Sequence, residues 1–134
     1  MDDIIRTLRE MEDFEYLKGA SQSEVSSAET ELNLRFANDY KKYLLEYGLA
    51  SAGGHELTGI VESSRLNVVA VTKSFRNKYS ELPIEAYVVE ELNLDSIIIF
   101  QLEDGSVYEM APSIPAKKIA NSLCEYLGNK TKND

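Results

Sequence analysis

The sequence has one cysteine, one histidine, no tryptophan and no apolar run long enough to cross a membrane. A lone cysteine, Cys124, excludes an internal disulfide and fits a reducing compartment, or one whose redox state does not matter to the protein. A membrane span needs about 18 or more consecutive apolar residues, and a secretory signal needs basic residues before an apolar run. The chain opens instead on acids, at Asp2 and Asp3. These absences predict a cytoplasmic protein without a membrane-spanning segment.

Basic residues are also scarce, with 14 lysines and arginines against 23 aspartates and glutamates, which gives a formal charge of -9. Proteins that bind nucleic acid or an anionic membrane surface need clustered basic side chains. The composition therefore excludes both as partners. It permits a cationic partner, or good solubility alone.

Apolar residues are plentiful, at 43% of 134 positions, and this length suits one domain with one core. We expect a single domain over 1–128 and a polar tail over 129–134. Apolar spacing indicates helices over about 3–13, 23–32, 40–47, 65–79 and 116–128. Strands are expected over about 56–61, 86–92, 97–102 and 106–111, with a flexible connection over 51–54.

Several residues carry the sequence signals of helix ends. Ser21 followed by Glu24 matches a capping box, and Ser64 is placed to cap the fourth helix. Asn33 suits a left-handed residue after the second helix, and Gly48 suits the end of the third.

The segment Glu103-Asp104-Gly105 predicts a hairpin turn. A three-residue loop with Gly105 left-handed pairs Phe100 with Tyr108 and Ile98 with Met110, so that apolar side chains share a face. A two-residue loop would place Glu109 opposite Phe100 instead. The longer loop is therefore the better prediction.

Residues that could perform chemistry lack the partners that chemistry needs. His55 has no nearby nucleophile in sequence, so a surface or turn role is favoured over general-base catalysis. One histidine and one cysteine match no metal motif, and no phosphate-binding loop is present. Adjacent acids such as Glu90-Glu91 are typical of solvated faces. The sequence predicts no catalytic residues, no cofactor and no metal, and it leaves an enzyme built on His55 and the adjacent acids as a third hypothesis.

The negative charge is concentrated in one region. Residues 80–116 include eight acids and no lysine or arginine: Glu81, Glu85, Glu90, Glu91, Asp95, Glu103, Asp104 and Glu109. Such a surface repels itself, and a basic partner would relieve that repulsion and be steered to it. The alternative is an acidic sheet that only keeps the protein soluble.

One stretch resembles the SUKH superfamily, which includes yeast cell-wall assembly regulators and many bacterial immunity proteins. The matching residues are Glu31, Leu32, Asp39, Tyr40, Tyr43, Leu44 and Gly48. Segments 56–60 and 104–108 resemble later parts of the family pattern, whereas Asn33 and Phe36-Ala37 depart from it. The resemblance implies an α+β domain with a twisted, largely antiparallel sheet packed against helices, and no catalytic residues.

The resemblance also implies a function, which is to bind and neutralise a cognate bacterial toxin. A nuclease or another nucleic-acid-directed toxin domain is commonly basic, so an acidic inhibitor is its expected complement. The alternative is a regulatory adaptor that binds signalling or cell-wall proteins. The sequence does not fix the oligomeric state. The predicted partner-binding residues are Glu90, Glu91, Asp95, Glu103, Asp104 and Glu109, with Tyr108 and Tyr87 as aromatic anchors.

Overall fold

The fold combines five helices with two antiparallel sheets in a computed structural model that describes residues 3–92 and 94–132. The helices are α1 Ile4–Arg9, α2 Gln22–Leu32, α3 Asn38–Tyr47, α4 Val68–Lys78 and α5 Leu123–Lys132. The strands are β1 Glu15–Tyr16, β2 Ala50–Ala52, β3 His55–Glu56, β4 Tyr87–Glu91, β5 Ile98–Gln101, β6 Val107–Ala111 and β7 Ile114–Ala120.

The strands form a small sheet in the order β1-β2-β3 and a larger one in the order β4-β5-β6-β7. The residues after β3 join the two sheets. Leu57 forms a bridge with Glu90, and the Thr58 amide donates to the Val89 carbonyl at 2.9 Å. The small sheet therefore extends the edge of the large one at β4.

Both faces of the large sheet are buried, which explains the apolar character of β4 and β5. One face contributes to the main core, where it meets side chains of α1, α2, α3 and α5: Tyr87, Val89, Ile99 and Val107. The other face forms a second cluster with α4: Val71, Phe75, Val88, Ile98, Phe100 and Met110. The predicted α+β domain with a largely antiparallel sheet packed against helices is confirmed.

The predicted hairpin between β5 and β6 is confirmed. Phe100 pairs with Tyr108 and Ile98 pairs with Met110. Gly105 has a φ of 97°, and its amide donates to the Leu102 carbonyl at 2.9 Å. The three-residue loop thus sets the register that keeps the apolar pairs together.

The ends of α2 and α3 also follow the sequence signals. The Ser21 hydroxyl accepts from the Glu24 amide at 3.1 Å, and the Glu24 carboxylate accepts from the Ser21 amide at 2.9 Å. Asn33 is left-handed, with a φ of 56°. Gly48 has a φ of 70°, and a Cβ there would lie 2.4 Å from the Lys18 carbonyl oxygen, so no other residue fits without a backbone shift.

The last helix was predicted to begin at residue 116, and this is wrong. That residue lies in β7, which pairs with β6 over Val107 to Ala111. The helix begins only at Leu123, because the Ser122 hydroxyl accepts from the Glu125 amide at 3.0 Å and so caps the first turn. It also ends at Lys132, four residues beyond the expected end at Gly128.

Other boundaries differ for similar local reasons. Asn67, not Ser64, caps α4, since its side-chain oxygen accepts from the amides of Val69 and Ala70 at 2.9 and 3.1 Å. The segment expected to be a flexible connection is a hairpin between β2 and β3. Its turn is Gly53-Gly54, where both residues have positive φ, as a tight two-residue turn requires.

Candidate partner-binding surface

Tyr87, predicted to be an aromatic anchor for a partner, is fully buried. Its hydroxyl donates to the Gln101 side-chain oxygen at 2.6 Å and accepts from the Ala37 amide at 2.8 Å. Burial raises the pKa of this phenol well above its usual value. The prediction that Tyr87 is available to a partner is therefore wrong, and its role in this structure is to join β4 to the start of α3.

The same network extends to the hairpin loop and to α5. The Gln101 side-chain amide donates to Asp39 Oδ1 and to the Gly105 carbonyl, both at 3.0 Å. Asp39 Oδ2 accepts from the Leu123 amide at 2.8 Å. One buried glutamine and one aspartate thus fix the hairpin loop relative to two helix N-termini. The polar Gln101 inside an apolar strand was the sequence signal for this network.

Glu90, predicted to bind a partner, is only 2% exposed, so this prediction is also wrong. Its Oε1 accepts from the Tyr126 hydroxyl at 2.7 Å and lies 2.9 Å from His55 Nδ1. Its Oε2 accepts from the Glu56 amide at 3.0 Å. Burial is the main reason that the pKa of Tyr126 lies above its usual value, and the charge and hydrogen bond of Glu90 raise this pKa further.

A β-bulge in β4 explains why Glu90 points inward. Val88 pairs with Phe100, but Glu90 pairs with the next residue back, Ile99, so one residue is inserted between them. Strict alternation would have placed Glu90 on the face of Val88. The inserted residue moves it to the face of Ile99, in the main core.

His55 is part of this buried cluster, so the expectation of a surface or turn role is wrong. A carboxylate accepts but does not donate, so we infer that His55 carries its hydrogen on Nδ1 and donates to Glu90. Its ring packs edge-on against Tyr126 at 5.2 Å. At 1% exposure His55 does not reach a solvent-borne substrate. Within 3–92 and 94–132, no group of three or more His, Cys, Asp or Glu side chains could hold a metal ion.

The other predicted carboxylates fall into two groups at opposite ends of the large sheet. Glu91 pairs with Ile98 at one end, which we call the turn end, and Asp95 lies in the connection beside it. Glu103 and Asp104 lie in the β5–β6 loop at the other end, which we call the hairpin end. These four carboxylates are exposed, but they do not form one continuous face.

Glu109 lies between the two ends, and the register of β7 changes its surroundings. It pairs with Lys117, and Tyr108 pairs with Lys118. Tyr108 is half-buried, with its ring stacked on Phe100 at 5.1 Å. The expectation of an acidic sheet without bases therefore fails here, because β7 places two lysines beside β6.

Carboxylates also line a depression at the hairpin end. A surface depression of about 540 Å³ is lined there by Ser26, Glu29, Thr30, Asn33, Leu34, Arg35, Glu85 and Glu103. Arg35 is the single basic residue of that lining. Glu85 and Glu103 form no ion pair with any residue that the structure describes. The depression thus presents uncompensated negative charge.

Asp104 follows Glu103, which lines this depression, and it stabilises the loop by local hydrogen bonds. Its carboxylate accepts from the Ser106 hydroxyl and from the Ser106 amide. These two hydrogen bonds, the hydroxyl first, lower the pKa of Asp104 below its usual value. Asp104 therefore stays ionised while it closes the loop.

At the turn end, acids and bases are more evenly mixed. Glu81 and Glu91 line a depression of about 590 Å³ together with Lys78 and Tyr79. The Tyr79 hydroxyl donates to the Ser96 carbonyl at 2.7 Å and holds the turn against α4. The turn end is acidic, but less so than the hairpin end.

The residues that match the SUKH pattern have structural roles. Tyr40 and Tyr43 both reach Thr58, with their hydroxyl oxygens 2.8 Å from its side-chain oxygen and 2.9 Å from its carbonyl oxygen, respectively. Thr58 in turn donates to the Val88 carbonyl at 2.8 Å. Burial raises the pKa of both tyrosines. Tyr40 and Tyr43 therefore position the junction between the two sheets, and both are buried.

Two comparisons with known proteins give a match, and a third gives none. A family model described as SMI1-KNR4 cell-wall, of the SUKH group, matches residues 1–132. A crystal structure of a protein from Pseudomonas syringae pv. tomato is similar, with a TM-score of 0.77 at 16% sequence identity over 94% of each chain. That likeness shows the fold. No curated protein matches the sequence. Among the residues that the structure describes, no helix is both long and apolar enough to span a bilayer.

Proposed function

We propose that this chain, which belongs to the SUKH (SMI1-KNR4) family, is a bacterial immunity protein. It binds and neutralises a cognate toxin in the cytoplasm. The family commonly supplies immunity proteins. The toxin partner is a basic domain, with a nuclease or another nucleic-acid-directed enzyme as the best candidate. The protein acts by binding, without an enzymatic step of its own.

The observation that carries this proposal is the uncompensated charge at the hairpin end. Glu85 and Glu103 are exposed, line one depression and form no ion pair with other described residues. A nuclease holds phosphates with lysines and arginines, so its active site attracts the same carboxylates. An inhibitor that places carboxylates over those bases would occlude the substrate path and associate rapidly.

The buried networks support the proposal by holding the hairpin end in place. Gln101 fixes the Gly105 carbonyl, and Ser106 fixes Asp104. Little loop ordering is then needed on binding, which limits the entropic cost of association.

The test is to mix the protein with the toxin domain encoded by the neighbouring gene and to measure association by surface plasmon resonance at several salt concentrations. We expect a complex whose association slows as salt increases. The double variant Glu85→Gln/Glu103→Gln should associate about tenfold more slowly at low salt. Glu62→Gln is the matched control, because Glu62 is exposed but lies outside the depression. The absence of any complex would overturn the proposal, whereas binding insensitive to salt would remove its electrostatic part.

The description of the family model as cell-wall favours one alternative, a regulatory adaptor that binds signalling or cell-wall proteins. The neighbouring gene separates the two functions. A large gene with a secretion module and a variable C-terminal domain favours immunity, whereas an isolated gene favours the adaptor.

A further inference from the structure

An exposed isoleucine, Ile84, lies beside the acidic depression at the hairpin end. It is 65% exposed although its side chain is apolar. The next residue, Glu85, lines the depression together with Glu103. A single exposed apolar side chain is ordinary on a protein surface, so its surroundings decide whether it has a role.

The backbone on both sides of Ile84 is tied to the core. Leu82 is 7% exposed, and Ala86 is fully buried. The Ala86 amide donates to the Pro83 carbonyl at 3.0 Å, which closes a β-turn. Ile84 and Glu85 are the two central residues of this turn. An apolar side chain and a carboxylate are therefore presented together on a short turn with anchored ends.

An arginine of α4 fixes this turn to the end of α2. Arg76 Nη2 donates to the Ile84 carbonyl and to the Leu32 carbonyl, both at 2.9 Å. Leu32 is the last residue of α2, and the next residue, Asn33, lines the depression. A positive charge is favourable here because the last carbonyls of a helix are partially negative. The turn of Ile84 and one wall of the depression are therefore held together before a partner binds.

The unpaired charge beside Ile84 is negative. Glu85 and Glu103 form no ion pair within 3–92 and 94–132, and Arg35 is the single base in the lining of the depression. A partner that covers Ile84 therefore meets carboxylates at the edge of the contact, and lysines or arginines are the side chains that compensate them. Two copies of this chain joined symmetrically at Ile84 would instead bring their Glu85 carboxylates close together.

Charge and apolar contact contribute differently to a complex. Exposed carboxylates steer a basic partner and raise the association rate, but salt screens their attraction. Affinity differences among variants of one interface lie mostly in the dissociation rate, which depends on side chains buried at the centre of the contact. Isoleucine suits that position because β-branching restricts χ1, so little side-chain entropy is lost on binding. The hairpin end thus combines an apolar side chain, Ile84, with a charged edge at Glu85 and Glu103.

We propose that Ile84 is the apolar anchor of the toxin-binding surface at the hairpin end. Its side chain enters an apolar recess of the basic toxin domain, and lysines or arginines at the edge of that recess meet Glu85 and Glu103. The inference rests on the proposed function, because it takes the toxin as the partner. It adds to that function the residue that controls how long the complex lasts.

The first experiment measures single variants by surface plasmon resonance with the same toxin domain. Ile84→Ser should dissociate at least about tenfold faster than wild type, with an association rate changed by less than about twofold. Leu94→Ser is the matched control, because Leu94 is also 65% exposed but lies in the β4–β5 connection at the turn end. Ile84→Leu keeps an apolar side chain of the same size and should retain most of the binding.

Salt separates the apolar contribution from the charged one. The ratio of the Ile84→Ser dissociation rate to that of wild type should be the same at low and high salt, because apolar burial is not screened. Glu85→Gln/Glu103→Gln should instead slow association at low salt and change dissociation less than Ile84→Ser does. Urea denaturation should give wild-type stability for Ile84→Ser, since the side chain is exposed.

The second experiment needs no substitution. The δ1-methyl groups of isoleucine are labelled with ¹³C in this protein alone, and a soluble paramagnetic probe is added with and without unlabelled toxin. We expect the toxin to shield the Ile84 methyl from the probe. Ile114 is the internal control, because it is 57% exposed at the start of β7, away from the hairpin end, and should stay accessible.

The outcomes distinguish this inference from the proposed function. A complex in which Ile84→Ser dissociates as slowly as wild type, or in which the Ile84 methyl stays accessible, would overturn Ile84 as the anchor and leave the immunity function standing. A complex weakened by Leu94→Ser and not by Ile84→Ser would do the same and would move the docking surface to the turn end. The absence of any complex would overturn both the immunity function and the anchor.

Discussion

Glu90 and Glu91 are consecutive in β4 and have opposite surroundings. Glu90 is buried and accepts hydrogen bonds from Tyr126 and the Glu56 backbone, with His55 at hydrogen-bonding distance. Glu91 is exposed and lines two surface depressions. One carboxylate stabilises the fold, and the other is available to a partner. Charge counted along a sequence therefore overstates the charge that a protein presents.

The same contrast separates the two predicted aromatic anchors. The hydroxyl of Tyr87 is satisfied by Gln101 and the Ala37 amide inside the protein. Tyr108 is half-buried and stacks on Phe100 beside β7. Glu90 and Tyr87 are each fixed by several polar partners in the interior. Tyr108 is held mainly by its ring contact with Phe100, and Glu91 is exposed. Substitutions should therefore separate stability from binding.

The largest effect is expected from Glu90→Ala. This change leaves the buried donors of His55, Tyr126 and the Glu56 backbone without their acceptor. We expect a loss of about 3–5 kcal/mol in the free energy of unfolding, measured by urea denaturation. Glu91→Ala is the control and should change stability by less than about 0.5 kcal/mol. Equal effects of the two substitutions would contradict the assignment of Glu90 to the core.

A smaller effect is expected from Tyr87→Phe, which removes only a hydroxyl. The Ala37 amide and the Gln101 oxygen each lose a buried hydrogen bond, so unfolding should become easier by about 1–2 kcal/mol. Tyr108→Phe makes the same chemical change at a half-buried ring and should cost less than about 0.5 kcal/mol. A Tyr108→Phe loss as large as that of Tyr87→Phe would remove the distinction between the two sites.

Much of the fold could be predicted because its signals are local. The capping box at Ser21, the left-handed Asn33 and the three-residue hairpin loop each depend on residues close in sequence. The boundary between β7 and α5 could not be predicted in this way. It depends on pairing with β6 and on Asp39, whose carboxylate accepts from Leu123 far along the chain.

The candidate site was less predictable, because burial depends on tertiary structure. A single inserted residue in β4 turns the Glu90 side chain into the core, and the local sequence of β4 does not indicate a bulge. Lys117 and Lys118 were expected in a helix, and the strand that they form places them beside Glu109 and Tyr108. The polar Gln101 within an apolar strand was a usable signal, since a buried amide needs partners.

The smallest effect concerns Asp104, which is exposed at the hairpin end but still has a local hydrogen-bonding role. The Ser106 hydroxyl, more than its amide, lowers the pKa of Asp104 below 3.8. A carboxyl whose pKa is lower in the folded state stabilises the protein above its unfolded-state pKa, and this contribution is lost as the pH falls through the folded-state pKa. Ser106→Ala should therefore raise the pKa of Asp104 towards its usual value, as followed by NMR of the carboxyl carbon.

The effect of Ser106→Ala on stability should depend on pH in a definite direction. Wild type should be more stable than Ser106→Ala at neutral pH, and the part of this difference due to Asp104 should vanish below the folded-state pKa. Ser64→Ala is the control, since Ser64 is exposed and its hydroxyl takes no part in capping α4. A difference between wild type and Ser106→Ala that stayed constant over this pH range would mean that Ser106 acts through packing. The Ser106 hydroxyl would then not stabilise the ionised form of Asp104, and the Ser106 amide alone would hold that carboxylate in the loop.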